Sequence, residues 1–265
     1  MDLKLKGKRA LVTGSSSGLG AAIVKLLAGE GAAVIVHGRN EKRCAAIVAD
    51  IQGNGGLAEY ATGDLSTDDG ADAVTKAVLA AGPVDILVNN IGVYHFQSWL
   101  NASVKDWSDT YNSNVLSYVR MIHRLLPQMK TLGWGRIIQI GSSAAIQPMS
   151  AQPDYSASTA ARHNLTVSLA RELKGTGITS NTLSPGAMLV ETTKTMLLGM
   201  AEHQGWGSDW AVIEKNAVAQ LAGSAIERLG RPEEVAGMAA YLASPLADYI
   251  NGTVVRVDGG LVQSL

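Results

Sequence analysis

The segment Thr13-Gly14-Ser15-Ser16-Ser17-Gly18-Leu19-Gly20 joins a short apolar run to an apolar helical pattern. Glycines let the backbone turn sharply and bring its N–H groups close to a pyrophosphate at the positive end of a helix. A glycine triplet alone is weak evidence, but the first strand-to-helix turn of a βαβ unit makes it specific. The segment therefore predicts a dinucleotide site. The residues that we expect at this site are Gly14, Ser16, Ser17, Gly18, Leu19 and Gly20.

Short apolar runs alternate with longer helical patterns along most of the chain. The predicted strands are Arg9–Thr13, Ala33–Val36, Ala58–Ala61, Ile86–Asn89, Arg136–Ile140, Ile178–Leu183 and Thr253–Val257. The predicted helices are Gly20–Gly29, Glu41–Gln52, Asp68–Ala80, Val104–Thr131, Pro153–Lys174 and Pro232–Ala243. Continuous apolar strands that alternate with helices are typical of a parallel sheet covered on both faces. The sequence thus predicts a Rossmann-like α/β fold, with a doubly wound parallel seven-stranded sheet in a single domain over residues 1–265.

Composition excludes several classes of function. Of the 265 residues, 46% are hydrophobic and 17% charged, and the formal net charge is −1. This balance excludes disorder and argues against a nucleic-acid partner or an anionic membrane surface, both of which require a basic excess. The single cysteine, Cys44, excludes an internal disulfide and favours a reducing compartment. Without a membrane-length apolar run, a signal peptide or a metal-ligand cluster, the sequence predicts a cytoplasmic protein with no metal site.

The end of the second predicted strand should distinguish NAD from NADP. An acidic residue there would accept hydrogen bonds from the adenosine ribose, whereas an arginine would pair with a 2′-phosphate. The segment reads Val36-His37-Gly38-Arg39-Asn40 and has no carboxylate before Glu41. Arg39 can bind a phosphate through charge-assisted hydrogen bonds. We therefore expect NADP(H) rather than NAD(H).

Residues 188–226 interrupt the alternation of strands and helices. The stretch has helical propensity and contains several methionines together with Trp206 and Trp210. A helical insertion beside strand ends can cover a pocket as a substrate lid. Additional core or a subunit interface explains the pattern equally well.

Further motifs follow the glycine segment in a characteristic order. They are Asp64-Leu65, Asn89-Asn90-Ile91-Gly92, Asn114, Ser142 placed 13 residues before Tyr155, Pro185-Gly186, and Asp258-Gly259-Gly260. Together with Thr13–Gly20 they resemble the short-chain dehydrogenase/reductase family over nearly the whole chain, with Ile91 where that family usually has alanine. The resemblance adds Asp64, Leu65, Asn90, Gly92, Tyr155, Pro185, Gly186 and Met188 to the expected cofactor-binding residues.

The resemblance implies reversible hydride transfer between a nicotinamide and a carbonyl or alcohol carbon. Tyr155 would exchange a proton with the substrate oxygen, and Ser142 would hydrogen-bond that oxygen. Asn114 would hold a water on a proton relay. The family also implies a homotetramer in which the long helices pack between subunits. The apolar segments around the expected site favour a neutral ketone, aldehyde or secondary alcohol as substrate.

One position departs from the family pattern. The lysine that should follow the tyrosine by four residues is replaced by Thr159. In relatives that ammonium lowers the pKa of the tyrosine and binds the nicotinamide ribose, and threonine supplies no charge. Arg162 and His163 lie one turn further along and are candidate substitutes, although the rigid guanidinium is a poor copy of lysine.

Two explanations of Thr159 remain open. The chain is an engineered or incidental variant of an active reductase, in which Thr159→Lys should raise turnover more than tenfold. Alternatively, it is a natural, catalytically weak or inactive member that serves as an NADP(H)-binding sensor or scaffold. The joint presence of Asn114, Ser142 and Tyr155 favours an enzyme.

Overall fold

Seven parallel strands form one sheet in the order β3-β2-β1-β4-β5-β6-β7. The structure is a computed structural model that describes residues 1–264, without the side chains at positions 221 and 222. The strands are β1 Arg9–Val12, β2 Ala33–Gly38, β3 Leu57–Thr62, β4 Ile86–Asn89, β5 Gly135–Ile140, β6 Ile178–Pro185 and β7 Val254–Val257. The order reverses between β1 and β4, and this is where open α/β sheets bind ligands. The predicted fold class is confirmed.

Helices cover both faces of this sheet. They are α1 Gly18–Gly29, α2 Glu41–Gly53, α3 Asp68–Ala80, α4 Val104–Tyr111, α5 Ser117–Leu132, α6 Pro153–Glu172, α7 Glu191–Gln204, α8 Trp210–Ala217 and α9 Pro232–Ala243. Successive strand residues point to opposite faces, so Leu11 packs into one buried apolar cluster and Val12 into the other. Every residue of β5 and β6 is buried. Strands β5 and β6 are therefore covered on both faces of the sheet.

The helix predicted over Val104–Thr131 is interrupted. A π-helical turn over Asn112–Leu116 separates α4 from α5. Single π turns inside α-helices occur frequently at functional sites, because the wider turn displaces a main-chain carbonyl from the regular hydrogen-bond ladder. Here the turn contains Asn114, whose side chain and carbonyl both bond outside the helix.

Residues 188–226 contain the expected helical insertion. Helices α7 and α8 and a second π turn over Val218–Ala222 surround a small apolar cluster of their own. The buried members of that cluster are Leu197, Ala201, Ile213, Ala217, Val218 and Leu229. The segment is therefore packed in its own right and is joined to the sheet through residues that follow β6.

Within residues 1–264, no helix combines the length and apolar character needed to cross a membrane. Over the same residues, no group of three or more His, Cys, Asp or Glu side chains is placed to hold a metal ion.

Candidate active site

A cleft of about 510 Å³ lies at the carboxyl ends of β1, β2 and β4. This is the point where the strand order reverses. Predicted site residues that line it are Gly14, Ser16, Ser17, Arg39, Asp64, Leu65, Asn90 and Gly92. The structure thus brings together residues from four separate sequence motifs.

The glycine segment forms the tight turn that closes one wall of the cleft. Gly14 and Gly18 have φ values of 65° and 55°, a left-handed conformation that side chains disfavour. A Cβ atom on Gly20 would lie 2.5 Å from both the Gly14 carbonyl oxygen and Asn90 Nδ2. Leu19 turns away and packs against the apolar cluster beneath the sheet. Three glycines are therefore required by geometry, whereas Leu19 anchors the helix.

Asn90 ties the end of β4 to this turn. Its Nδ2 donates to the carbonyl oxygens of Thr13 and Gly14 at 3.0 and 3.1 Å. Its main-chain N–H donates to Thr13 Oγ1 at 2.9 Å. These bonds hold the ends of β1 and β4, between which the strand order reverses, in a fixed relative position. They thereby fix the shape of the cleft floor.

His37 is a site residue that the sequence analysis missed. Its Nδ1 accepts a hydrogen bond from the Gly14 N–H at 3.1 Å, and its own N–H donates to Ser15 Oγ at 2.9 Å. Burial lowers the pKa of His37 to about 4, so the ring is neutral and Nδ1 stays an acceptor. Its position directly before Gly38-Arg39 was the available signal.

The far end of the cleft is cationic. Arg39 and Arg43 are exposed and line this end together with Asp64. A hydrogen bond from the Ser66 N–H lowers the pKa of Asp64, which keeps its carboxylate ionised as an acceptor. Two guanidinium groups beside one carboxylate can bind a phosphate and a ribose hydroxyl side by side.

Tyr155 and Ser142 lie at the same carboxyl edge of the sheet. Tyr155 is in the first turn of α6, which begins at Pro153, a residue suited to the first helical position. Its partly exposed ring packs on Tyr94, with ring centroids 5.7 Å apart. Ser142 follows β5, and its Oγ accepts from the Ala144 N–H at 3.2 Å, in a short turn that packs on α6.

Asn114 is fully buried and bonded to protein groups. Its Oδ1 accepts from the Val93 N–H at 2.8 Å. Its Nδ2 donates to the Val93 carbonyl at 2.9 Å and to Ser158 Oγ at 3.0 Å. The side chain therefore positions the segment after β4, and the water relay that the family resemblance implies stays a prediction.

Thr159 does not face the cleft. The side chain is fully buried, and its hydroxyl bonds the carbonyl oxygens of Tyr155 and Ser156 at 3.1 and 2.9 Å. Such a hydroxyl, turned back onto its own helix, leaves no group to reach a ribose. The position four residues after Tyr155 thus contributes neither a charge nor a donor to the site.

The residues after β6 lie beside the cleft. Gly186 and Met188 line a second, smaller cavity of about 210 Å³, and Met188 forms a β-bridge with Gly230. Gly186 bonds the Val257 carbonyl at 3.2 Å, which continues the pairing of β6, ending at Pro185, with β7. A Cβ on Gly18 would lie 3.6 Å from Val190 Cγ1, so this segment reaches the glycine turn.

Comparisons with known proteins agree with this site. A family model described as short chain dehydrogenase matches residues 8–200. An oxidoreductase of Bacillus subtilis, YvrD, is 37% identical over 265 residues, which is the whole of both chains. The 3-oxoacyl-[acyl-carrier-protein] reductase FabG of Vibrio cholerae is 36% identical and is covered to 99%, against 98% of this chain.

Solved structures share the whole architecture. L-sorbose reductase from Gluconobacter frateurii, complexed with NADPH and L-sorbose, matches with a TM-score of 0.95 and 31% identity over the full length of both chains. A 3-oxoacyl (acyl-carrier-protein) reductase from Agrobacterium tumefaciens with NADP bound matches with a TM-score of 0.88 and 35% identity, over 97% of this chain and 95% of that one. With the glycine turn, Ser142 and Tyr155 in place at one sheet edge, the chain belongs to the short-chain dehydrogenase family.

Proposed function

We propose that this oxidoreductase uses NADP(H) to reduce a neutral ketone or aldehyde, and oxidises the corresponding secondary alcohol in reverse. The observation that carries the proposal is the partly exposed Tyr155, which packs on Tyr94 just after the cleft-lining Val93 and lies with Ser142 at the carboxyl edge of the sheet. A buried structural tyrosine would have no access to a substrate.

The cofactor is NADP(H). The backbone cradle at Gly20 admits no side chain, and Arg39 and Arg43 supply positive charge where a 2′-phosphate needs it. Two related reductases have structures with NADPH or NADP. When bound, the reduced nicotinamide supplies a hydride, and the chain's own side chains position the substrate and move the proton.

Tyr155 donates its phenolic proton to the carbonyl oxygen as that oxygen becomes an alkoxide, and it is reprotonated from solvent. Ser142 hydrogen-bonds the same oxygen and stabilises its developing charge. The C–H bond and the O–H bond thus form at opposite ends of the former double bond. In the reverse direction, the ionised tyrosine accepts the alcohol proton.

The substrate end of the site is apolar. Tyr94, Phe96 and Trp99 are exposed after β4, and Ile146 and Met149 are exposed after β5. The segments 94–100 and 144–150 contain no lysine or arginine. A phosphate or carboxylate substrate would find no lysine or arginine in these segments, so a neutral molecule fits best. The sugar reductase relative acts on such a neutral ketone.

One observation favours the alternative function, an NADP(H)-binding sensor or scaffold. The hydroxyl of Thr159 bonds only its own helix. A family member that binds NADPH without turnover would require the cofactor cleft, but it would not require a tyrosine whose pKa is lowered by a lysine. The two functions differ in whether Tyr155 affects NADPH consumption.

The deciding experiment pairs an NADPH fluorescence titration with turnover of a panel of neutral ketoses, aliphatic ketones and aldehydes. We expect Tyr155→Phe to lower kcat by about 10²–10⁴-fold while NADPH still binds. Tyr249→Phe is the matched control, because Tyr249 is fully exposed. Tight NADPH binding without turnover in the wild type would favour the sensor over the reductase.

The proposal also covers the oligomeric state and the cellular compartment of the protein. Val104, Tyr111 and Leu116 are exposed on and after α4, where the family packs helices between subunits. We infer a cytoplasmic homotetramer; the buried Cys44 thiol suits a reducing compartment. Light scattering would give the subunit count.

A further inference from the structure

Arg162 is a buried cation that has no carboxylate. The residue is 2% exposed, and it forms no salt bridge with any residue that the structure describes. Arginine stays charged at every physiological pH, and burying an unpaired charge is expensive. Such a group persists only where neutral acceptors compensate it, and its charge then acts on whatever lies near.

Three main-chain carbonyls compensate the guanidinium. Nε donates to the Asn114 oxygen at 2.6 Å. One terminal nitrogen donates to Ile140 at 2.8 Å and the other to Ile91 at 3.1 Å. These acceptors belong to the π turn, the end of β5 and the segment after β4. One side chain therefore joins the three elements that carry Asn114, Ser142 and the cleft floor.

The same guanidinium lies directly under the cleft. A Cβ atom on Gly92 would be 3.7 and 3.8 Å from its two terminal nitrogens, and Gly92 lines the cleft with Ile91. Of the five N–H groups of an arginine, three are used by the carbonyls, so two carry no bond to the described protein. Charge and spare donors thus lie beneath the part of the cleft that Ile91 and Gly92 form.

The side chains that the structure describes around Arg162 supply no positive charge to this part of the site. The Thr159 hydroxyl bonds its own helix. Burial and the adjacent Arg162 lower the pKa of His163 to about 4, so that imidazole is neutral. Tyr118, on α5, places its ring face 4.5 Å from the guanidinium carbon, and its hydroxyl donates to the same Ile91 and Ile140 carbonyls at 2.8 and 3.2 Å. Arg162 is therefore the cation that α6 brings to this end of the site.

We propose that Arg162 is the cationic positioning residue of this active site, and that positions 159 and 162 are coupled because both are buried on α6 within one turn of each other. The inference rests on the proposed function and deepens it. It replaces the expectation, drawn from sequence alone, that Thr159→Lys by itself restores activity. An added ammonium at 159 would be a second buried cation in a region where the first has no counter-ion.

The test is a double-mutant cycle made of Thr159→Lys, Arg162→Met and the two combined. Arg162→Lys serves as the conservative variant, and Arg171→Met, which removes an exposed cation of the same helix, as the control. For each protein, thermal unfolding is measured without cofactor, NADPH affinity by fluorescence, and kcat against pH with the best carbonyl substrate.

We expect each single change at 159 or 162 to lower the unfolding temperature and to weaken NADPH binding at least tenfold. The combined variant should recover most of the unfolding temperature and most of the NADPH affinity. Arg162→Lys should bind NADPH better than Arg162→Met. The pH dependence of kcat should shift in Arg162→Met and remain unchanged in Arg171→Met. If Arg162→Met fails to fold, the comparison of Thr159→Lys with the combined variant still decides the matter.

Two results would overturn the coupling. The first is a combined variant whose losses in unfolding temperature and NADPH affinity equal the sum of the losses in the two single variants. The second is a more than tenfold gain in turnover for Thr159→Lys alone, without loss of stability. These outcomes are separable from failure of the reductase function. If the wild type consumes no NADPH with any carbonyl, the unfolding and NADPH-binding cycles still report on Arg162.

Discussion

The N–H of Gly14 donates to Nδ1 of His37 at 3.1 Å, so a neutral imidazole holds the glycine turn in place. A protonated ring would turn this acceptor into a donor and set two N–H groups against each other. The turn that forms the cleft is therefore linked to a titration inside the protein.

We expect the protein to lose stability as the pH falls from about 6.5 towards 4. The unfolded chain takes up a proton at the ordinary pKa of 6.5, whereas folded His37 resists protonation down to about 4. Stability is thus fully present above pH 6.5 and falls by about 3 kcal/mol for this group as the pH reaches 4. Thermal unfolding across this range should show a smaller decline in His37→Asn, which keeps a neutral acceptor. Equal declines in both proteins would contradict the linkage.

Gly20→Ala should disrupt the cleft. The new methyl group would overlap the Gly14 oxygen and Asn90 Nδ2, so we expect a loss of about 2 kcal/mol in unfolding free energy and NADPH binding weakened about tenfold or more. Gly29→Ala, at the other end of α1, meets no atom within 4 Å and should gain up to about 1 kcal/mol. Chemical denaturation and NADPH titration of the pair measure the contrast; similar behaviour would show that the turn tolerates a side chain.

Arg39→Ala should change the cofactor preference. Loss of a hydrogen-bonded charge on a phosphate is worth about 1.5–3 kcal/mol, which corresponds to NADPH binding weakened about 10- to 100-fold. NADH affinity should stay the same, because NADH has no 2′-phosphate. Lys42→Ala removes a neighbouring exposed cation outside the cleft and is the control. A parallel loss of both cofactors in Arg39→Ala would assign Arg39 to another role.

Tyr94→Ala should impair substrate binding more than cofactor binding. The Tyr94 ring packs on Tyr155, and aromatic pairs of this kind contribute about 0.5–1.5 kcal/mol. We expect KM for the carbonyl substrate to rise about three- to tenfold, with NADPH affinity unchanged. Tyr94→Phe keeps the ring and should behave as the wild type. An unchanged KM in the alanine variant would place the substrate elsewhere.

The sheet could be predicted because its signal is local. Ile86–Asn89 and Asp68–Ala80 have the bounds expected from apolar runs and helix caps. Thr67 caps the latter helix by accepting from the Gly70 N–H, as a threonine before a helix does. The glycine segment and Arg39 followed from similar reasoning about strand ends, whereas Asp64, Leu65, Asn90 and Gly92 were expected only from the family resemblance.

The rest depends on contacts between distant segments. The π turn is held by Asn114 bonding Val93, 21 residues away, and nothing in the local pattern around 112–116 indicates it. The sequence made Arg162 only a candidate substitute for the missing lysine, because its rigid guanidinium is a poor copy of that group. Its side chain instead crosses to three carbonyls of other elements, and backbone spacing does not report such reach.

The single guanidinium shared by three carbonyls also constrains how this site can be altered. A library that changes one position at a time must pass through one of two intermediates. Thr159→Lys alone buries two cations on this part of α6, and replacement of Arg162 alone leaves none. Such intermediates would be discarded in screening, and the lysine form would never be reached. Libraries for this enzyme should therefore vary positions 159 and 162 in the same clone.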